Sequence, residues 1–549
     1  MVLEQASHSA LAAVAPTAVV IGGGPLGLNV GIALARGGRR VLILESGAAT
    51  ARDAAQDFAA DELLTPDTHH DPTITTARRL GGAGVLWGGR CVPSDPIDFT
   101  DRPWLGLKAW PVGPQDLDAW LGPACTALGA GDPVFSDPIP GFSPSTDTFT
   151  TDRLERWTNE PRAHVLHRDA LKSTDGLSVA LGITVTGIKR DAANRASALS
   201  IWSEAEGAGT LPLPAGCDVI LAAGGNGSTR LLLNVQADSP QLFGGAYGPL
   251  GRFYMGHLDG QIADIVFDNA TLHDAMDFYI DDHGSYVRRR IIPSADIQEA
   301  AGLANIAFWP VVPEISEPTH GSGALSAVYL PLSYPALGRR LIAESIRQRH
   351  VGHPPYRRLR HLRNLITDPL SLMTFAPWFI WNRRFAKYRL PGFFLKNPGR
   401  RYGLMYHSEH LPHADSRVTL SANRDRTGLR RLAIDFRFSG EDVASVLNAH
   451  EVLDDWLGRE KLGRVIYRTP PEGRADLVLS EAKHGNHQEG TTRMGHDRTS
   501  AVVDGWGTTF DVQNLHVVST SVLPTSSQAN PTLTAMQLGL RLADRLATA

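Results

Sequence analysis

His487 and Asn530 are the residues whose types and settings best suit chemistry. His487 stands beside a Gly/Thr-rich turn, His487-Gln488-Glu489-Gly490-Thr491-Thr492-Arg493-Met494-Gly495. Asn530 precedes Pro531 and Thr532, which open an apolar, helix-like run. An imidazole, with an ordinary pKa of ~6.5, is largely neutral near pH 7 and can accept a proton. A carboxamide can donate its N–H to an oxygen on which negative charge develops. Together they could take the proton from a hydroxyl and hold its oxygen. They lie far apart in the chain, so only the fold can bring them together. Alone, an Asn-Pro is a common helix cap and a single histidine is more often structural. By the same reasoning His484 reads as a bystander. His257 reads as a structural residue ending a glycine-bounded turn, and Thr491 and Arg493 as residues that shape the turn.

The elements that must position this pair begin at the other end of the chain. Ala18-Val19-Val20-Ile21 is a compact apolar run, expected as a buried parallel strand. Gly22-Gly23-Gly24-Pro25-Leu26-Gly27 follows and fits G-x-G-x-x-G. Leu28 to Arg36 reads as a helix and Val41 to Leu44 as the next strand, ending at Glu45. This is the β-α-β setting in which such glycines bind a dinucleotide. Gly22 permits the tight turn, Gly24 lets the backbone approach a pyrophosphate, and Gly27 allows close helix–strand packing. Glu45 can accept from a ribose hydroxyl. The motif alone does not separate FAD from NAD(P). A second apolar strand, from Asp218, ends in small residues including Ala223 and Gly224, which lets a ligand pass close and favours FAD. Val185 is expected near the adenine.

Composition sets outer bounds. The chain has 549 residues, 42% hydrophobic and 20% charged, with a formal net charge of −4. That is enough for two or more domains, and it gives no reason to expect nucleic acid. Cys91, Cys125 and Cys217 are scattered, with no C-x-x-C, which argues against a disulfide framework, a zinc site or a dithiol centre; no metal is expected. The start carries Glu4 and no early Lys or Arg, unlike an export signal. No apolar run is long enough to span a bilayer, so the expected location is the cytoplasm.

In the middle, Ile262 to Phe267, Ala304 to Pro310 and Ala324 to Leu330 read as strands. Arg417 to Leu420 and Leu432 to Phe438 read as paired strands, and Glu441 to Leu457 as an amphipathic helix. The segment 339–401 is rich in Arg and Lys interleaved with Phe, Trp and Tyr. It is expected as a capping subdomain with solvated basic faces and an aromatic core. A contact with an anionic membrane surface or a protein partner is the alternative.

These motifs together resemble the glucose–methanol–choline (GMC) oxidoreductases. The resemblance is carried by Gly22–Gly27 with Glu45, by Arg79-Leu80-Gly81-Gly82-Ala83-Gly84-Val85-Leu86-Trp87-Gly88-Gly89, by Ala222–Gly225, by Gly251–His257, by Ser416–Leu420 and by the block from His487 to Leu546. It is poor from about Leu105 to Pro161 and from Gly260 to Arg401. It implies an α/β fold, with a Rossmann-like FAD-binding domain interleaved with an α+β substrate domain built on a mostly antiparallel sheet. The FAD domain would take 15–100, 160–260 and 480–549, and the substrate domain 101–159 and 261–479. It implies FAD held by Gly22, Gly24, Gly27, Glu45, Gly82, Val185, Ala223, Gly224, Ser519, Asn530, Pro531 and Thr532. The helix from Pro531 would aim its positive end at the flavin pyrimidine edge. His487 would abstract the hydroxyl proton and Asn530 hold the oxygen as hydride passes to flavin N5.

Ala529–Thr534 and the Gly81–Trp87 loop look most like the pyranose-oxidising branch. A secondary hydroxyl of a sugar, glycoside or cyclitol is therefore the expected substrate. In some of those enzymes a histidine just before the tryptophan binds the flavin covalently; here Leu86 stands there, so non-covalent FAD is expected. Ser519 replaces a common Asp. Other readings are a non-sugar alcohol oxidoreductase, a flavin-bound non-redox lyase, and a non-catalytic docking flavoprotein, against which the intact His487 and Asn530 speak. The electron acceptor is left open.

Overall fold

The computed structural model describes residues 2–4, 6–352 and 354–548. Six parallel strands form its first sheet, in the spatial order Val2–Glu4, Leu177–Leu181, Val41–Glu45, Ala18–Ile21, Asp218–Leu221, Leu515–Val517. The sheet thus draws strands from the beginning, the middle and the end of the chain. Its central strands read as unbroken apolar runs because both faces are covered: Val19, Val20, Leu42, Ile43, Val219 and Ile220 are wholly buried. On one face the helices Pro25–Arg36 and Thr532–Thr548 bury Leu28, Val30, Leu34, Leu542 and Ala543 against Val20 and Ile43. The helices leave from the carboxyl ends of the strands, where parallel α/β sheets bind ligands.

A second sheet has four antiparallel strands in the order Ile306–Val311, Arg401–Glu409, His257–Phe267, Gly463–Tyr467. The helix Gly440–Arg459 covers it. Ser439 and Asp442 form a capping box at the helix start, and Val446, Leu453 and Trp456 pack with Phe308 and Tyr402. Trp456 is fully buried; its truncation to alanine would cost about 3–5 kcal/mol. A hairpin pairs Arg417–Arg424 with Arg430–Asp435, as the sequence suggests. The architecture is the expected mixed one, a parallel Rossmann-like sheet beside mainly antiparallel sheets.

Two expectations need correction. Ala324 to Leu330 is not a strand: it lies inside the helix Gly323–Leu332, whose N-cap Ser322 accepts from Leu325 N–H. A short apolar run cannot by itself separate the two states, and here the cap and helical neighbours on several sides decide. The segment 339–401 does contain an aromatic cluster of Phe375, Phe379 and Phe393. Its outer faces, however, are not simply basic and solvated; Leu359, Ile366, Leu370, Met373, Trp381 and Phe385 point outward. No helix among the described residues is long and apolar enough to cross a membrane.

Candidate active site

A cavity of about 660 Å3 runs between the two sheets. One end is built by the carboxyl ends of the parallel strands. Gly22 sits there at φ +115°, where a Cβ would meet Ala222 O at 2.4 Å. That close approach is why the turn needs glycine. Gly24 ends the turn and caps the helix Pro25–Arg36 with no side-chain bond, so the first helical N–H groups face the cavity. Glu45 closes the neighbouring strand. Its two oxygens accept from Gly23 N (2.7 Å) and Gly47 N (2.8 Å).

Of the residues expected from sequence, Gly22, Gly24, Glu45, Gly82, Val185, Ala223, Gly224, Ser519, Asn530, Pro531, Thr532 and His487 all line this cavity. Gly27 does not. It lies beneath the turn, where a Cβ would meet Gly22 O at 2.0 Å, and so serves helix–strand packing. Gly82 is pressed on Gly24: a Cβ on Gly82 would meet Gly24 Cα at 2.8 Å, so the two loops form a glycine cradle. Leu86 lines the same wall and offers no atom for a covalent bond to a cofactor.

At the other end the two distant residues meet: Asn530 Nδ2 lies 3.2 Å from His487 Nε2. Several bonds pin each side. Gln488 accepts at its side-chain oxygen from Asn226 N–H (2.9 Å) and at its carbonyl from Thr520 Oγ1 (2.8 Å). The Asn530 loop is held by Ser527 Oγ donating to Asp98 (2.6 Å), by Gln528 donating to Asp95 (2.7 Å), and by His407 Nδ1 at 2.7 Å from Gln528 O.

Two histidines that the sequence did not assign to the site complete it. His257 does not end a turn; it opens the strand His257–Phe267. Met255 pairs antiparallel with Glu489, so His257, two residues on, comes level with His487, two residues back. Their Nδ1 atoms are 2.9 Å apart. His407 stacks on His257 with ring centroids 4.0 Å apart, and one ring nitrogen from each of His257, His407 and His487 lies within 4.8 Å of the other two. Burial, helped by His484 and the Arg90 guanidinium, holds His487 well below the usual imidazole pKa. Burial acts first on His257 and His407 too, with the other histidines and arginines adding to it. The cluster is therefore neutral near pH 7. His484 lines the cavity with its ring centroid 5.0 Å from that of His487.

Beside the pair, Arg90 and Arg288 also face the cavity. They share the buried carboxylate Glu155, Arg90 at 3.3 Å, with Arg290 at 3.1 Å. Burial works to raise Glu155, but the three guanidiniums outweigh it and hold the carboxyl below its ordinary pKa. Arg78, just before the Arg79–Gly81 motif, lines the nucleotide end with a buried Nε that has no partner among the described residues.

The residues present fit a flavin dinucleotide. A strand–glycine–helix cradle, an acid at the next strand end and an unpartnered guanidinium Nε form one end. Asn530 Oδ1, also buried without a partner among the described residues, lies at the other.

Residues 412–539 match the GMC oxidoreductase family in its C-terminal domain, and members of this family bind FAD. Over 136 residues the chain is 30% identical to paromamine 6'-oxidase from Streptomyces fradiae, spanning 25% of this chain and 24% of that protein. Over 154 residues it is 30% identical to C-glycoside 3-oxidase from Arthrobacter globiformis, spanning 27% and 28%. The chain thus matches about a quarter of the length of each of these curated relatives. In fold it is similar to the crystal structure of pyridoxine 4-oxidase from Mesorbium loti, with TM-score 0.56 at 16% identity, covering 96% of this chain and 98% of that one.

Proposed function

We propose that this chain, which carries the C-terminal domain of the GMC oxidoreductases, oxidises an alcohol with FAD, and that the alcohol is a secondary hydroxyl of a sugar, glycoside or cyclitol. One observation carries the reading: His487 Nε2 and Asn530 Nδ2 stand 3.2 Å apart on the wall of a cavity whose far end is the glycine cradle.

FAD, when bound, supplies the acceptor for the hydrogen and electron pair that leave the carbinol carbon. His487 receives the hydroxyl proton on Nε2, a group of the kind that contributes roughly 10²–10⁴ in rate. Asn530 N–H holds the substrate oxygen as its charge grows. The neutral histidine cluster keeps the base unprotonated at working pH. Pro531 and Thr532 turn the N-terminal end of the helix Thr532–Thr548 toward the cavity, which favours negative charge there. Leu86 supports non-covalent retention of FAD.

The same reading assigns 15–100, 160–260 and 480–549 to cofactor binding and 101–159 and 261–479 to substrate binding. The sugar-like substrate is supported by two relatives named as a paromamine 6'-oxidase and a C-glycoside 3-oxidase. A panel of sugars and glycosides mixed anaerobically with the FAD-loaded protein tests it. Bleaching by sugars supports the proposal. Bleaching only by non-sugar alcohols would overturn the substrate class, and turnover without bleaching would point to a lyase.

A further inference from the structure

The helices Arg358–Thr367 and Pro369–Arg384 are turned inside out relative to an ordinary surface helix. The inner face of the first carries His361, bonded to Ser326 Oγ (3.1 Å) and Ser316 O (3.2 Å), and Asn364, which donates to Pro318 O (2.8 Å). Its outer face carries Leu359 (82% exposed), Leu362 and Ile366 (79%). In the second helix Phe375 is buried, while Leu370, Met373, Trp378 and Trp381 recur at helical spacing on the outside and Phe385 follows. Among the described residues, twelve of the seventeen exposed large apolar side chains lie between Tyr334 and Phe385. A soluble surface rarely gathers so many in one place without a use.

Along this stretch of chain the charge is nearly all of one sign, and Glu317 from a neighbouring segment pairs with Arg357. From Arg357 to Arg389 the chain carries eight lysines and arginines and a single acid, Asp368. That acid is engaged internally, accepting from Gly323 N–H (2.9 Å) and Ser371. Arg360, Arg363 and Arg384 are exposed and form no ion pair among the described residues. Apolar and tryptophan side chains flanked by free cations match the headgroup region of a bilayer.

We propose that this face rests on an anionic lipid surface, anchoring the protein without crossing the membrane. A second copy of the chain is a poorer occupant, because a two-fold contact would bring the same cations together. The neighbouring helix Glu344–Val351 supplies Ser345, Ile346, Arg349 and His350 to the cavity wall. The lipid-facing subdomain and the cavity are therefore continuous.

Flotation of the full-length, FAD-loaded protein tests this with vesicles of phosphatidylcholine and of phosphatidylcholine mixed with phosphatidylglycerol. The expected result is strong low-salt binding to the mixed vesicles, weak binding to the neutral ones, and release by salt. R360Q/R363Q/R384Q should weaken vesicle affinity by about a hundredfold, at about fivefold per charge. W378S/W381S should weaken it as well, and remove the blue shift of tryptophan emission on binding. FAD content and melting temperature serve as folding controls, since all these side chains are exposed. Failure of the folded wild type to bind the mixed vesicles at low salt, or equal binding to both vesicle types, overturns the proposal. So does self-association of the wild type that the tryptophan variant abolishes.

Discussion

His487 Nδ1 lies 2.9 Å from His257 Nδ1, and two ring nitrogens at that separation share one proton between them. If His487 carries it, its Nε2 is left as a lone pair facing Asn530 and the cavity. His257 then acts as the acceptor that fixes this tautomer. The arrangement supports His257 as a positioning residue, and it leads to the first prediction. His257→Phe keeps a ring in the buried space but removes the acceptor. The rate of substrate-driven flavin reduction should fall at least tenfold with FAD still bound. A rate within twofold of wild type would mean that His257 does not position His487.

Asn530 offers the next test. Asn530→Ala deletes the N–H that lies beside His487 Nε2. The rate of flavin reduction should fall by about 10²–10³, with a smaller change in substrate affinity. Equal losses in affinity and none in rate would mean that Asn530 only binds substrate.

Gly24 separates cofactor binding from folding. A Cβ there meets nothing nearer than Gly82 Cα at 3.9 Å, and the backbone is extended. Gly24→Val should therefore fold, as judged by circular dichroism, yet lose FAD, because its side chain fills the space the phosphates need. Retention of stoichiometric FAD would show that the cradle is not the phosphate site.

What the sequence made legible was local. Ala18–Ile21, the glycine turn, Pro25–Arg36 and Glu45 are consecutive, so spacing alone reads them. The helix from Glu441 to Leu457 is legible for the same reason, although its Ser439 cap was not read from the sequence. The neighbours of His487 were not. His257 reaches it only through the antiparallel bridge Met255–Glu489, and His407 only because Asp259 pairs with His407, 148 residues further along the chain. Register between distant segments leaves no mark in residue types. Arg90 follows directly on the Gly88–Gly89 motif and Arg78 directly precedes Arg79, so both stood within reach of a sequence reading. The apolar run at Ala324 was misread because its length suits either state.

Buried histidines set the response to acid. Burial lowers His69 to about 3 and His450 and His484 to about 4. In the unfolded chain each returns to ~6.5. Below that pH the unfolded chain binds protons that the folded chain refuses. Stability is thus full above ~6.5 and declines as pH falls through it, by about 2 kcal/mol per histidine at pH 5. His257, His407 and His487 act in the same direction. Glu45, Asp61, Asp98, Asp277, Glu481 and Glu489, all raised by burial, act in the opposite one, but they are fewer than the buried histidines that are lowered. Denaturant midpoints at pH 7.5 and pH 5 should show the loss; an equal or higher midpoint at pH 5 would contradict it.

The proposed role of His487 as base carries a pH profile with it. Because burial holds His487 well below the ordinary value, kcat/KM should stay level from pH 8 to about 6, and its acid limb should fall below the ~6.5 of a free imidazole. A limb at or above ~6.5 would mean that a different group, or a solvated His487, takes the proton.

The proposed role of His487 is that of base in a flavin-dependent alcohol oxidation. Anaerobic stopped-flow mixing of the FAD-loaded protein with substrate, followed at the visible flavin band, tests it directly in wild type and His487→Ala. The wild type should bleach rapidly. The variant should hold the same FAD and bleach roughly 10²–10⁴ more slowly. Bleaching at the wild-type rate in His487→Ala would contradict it.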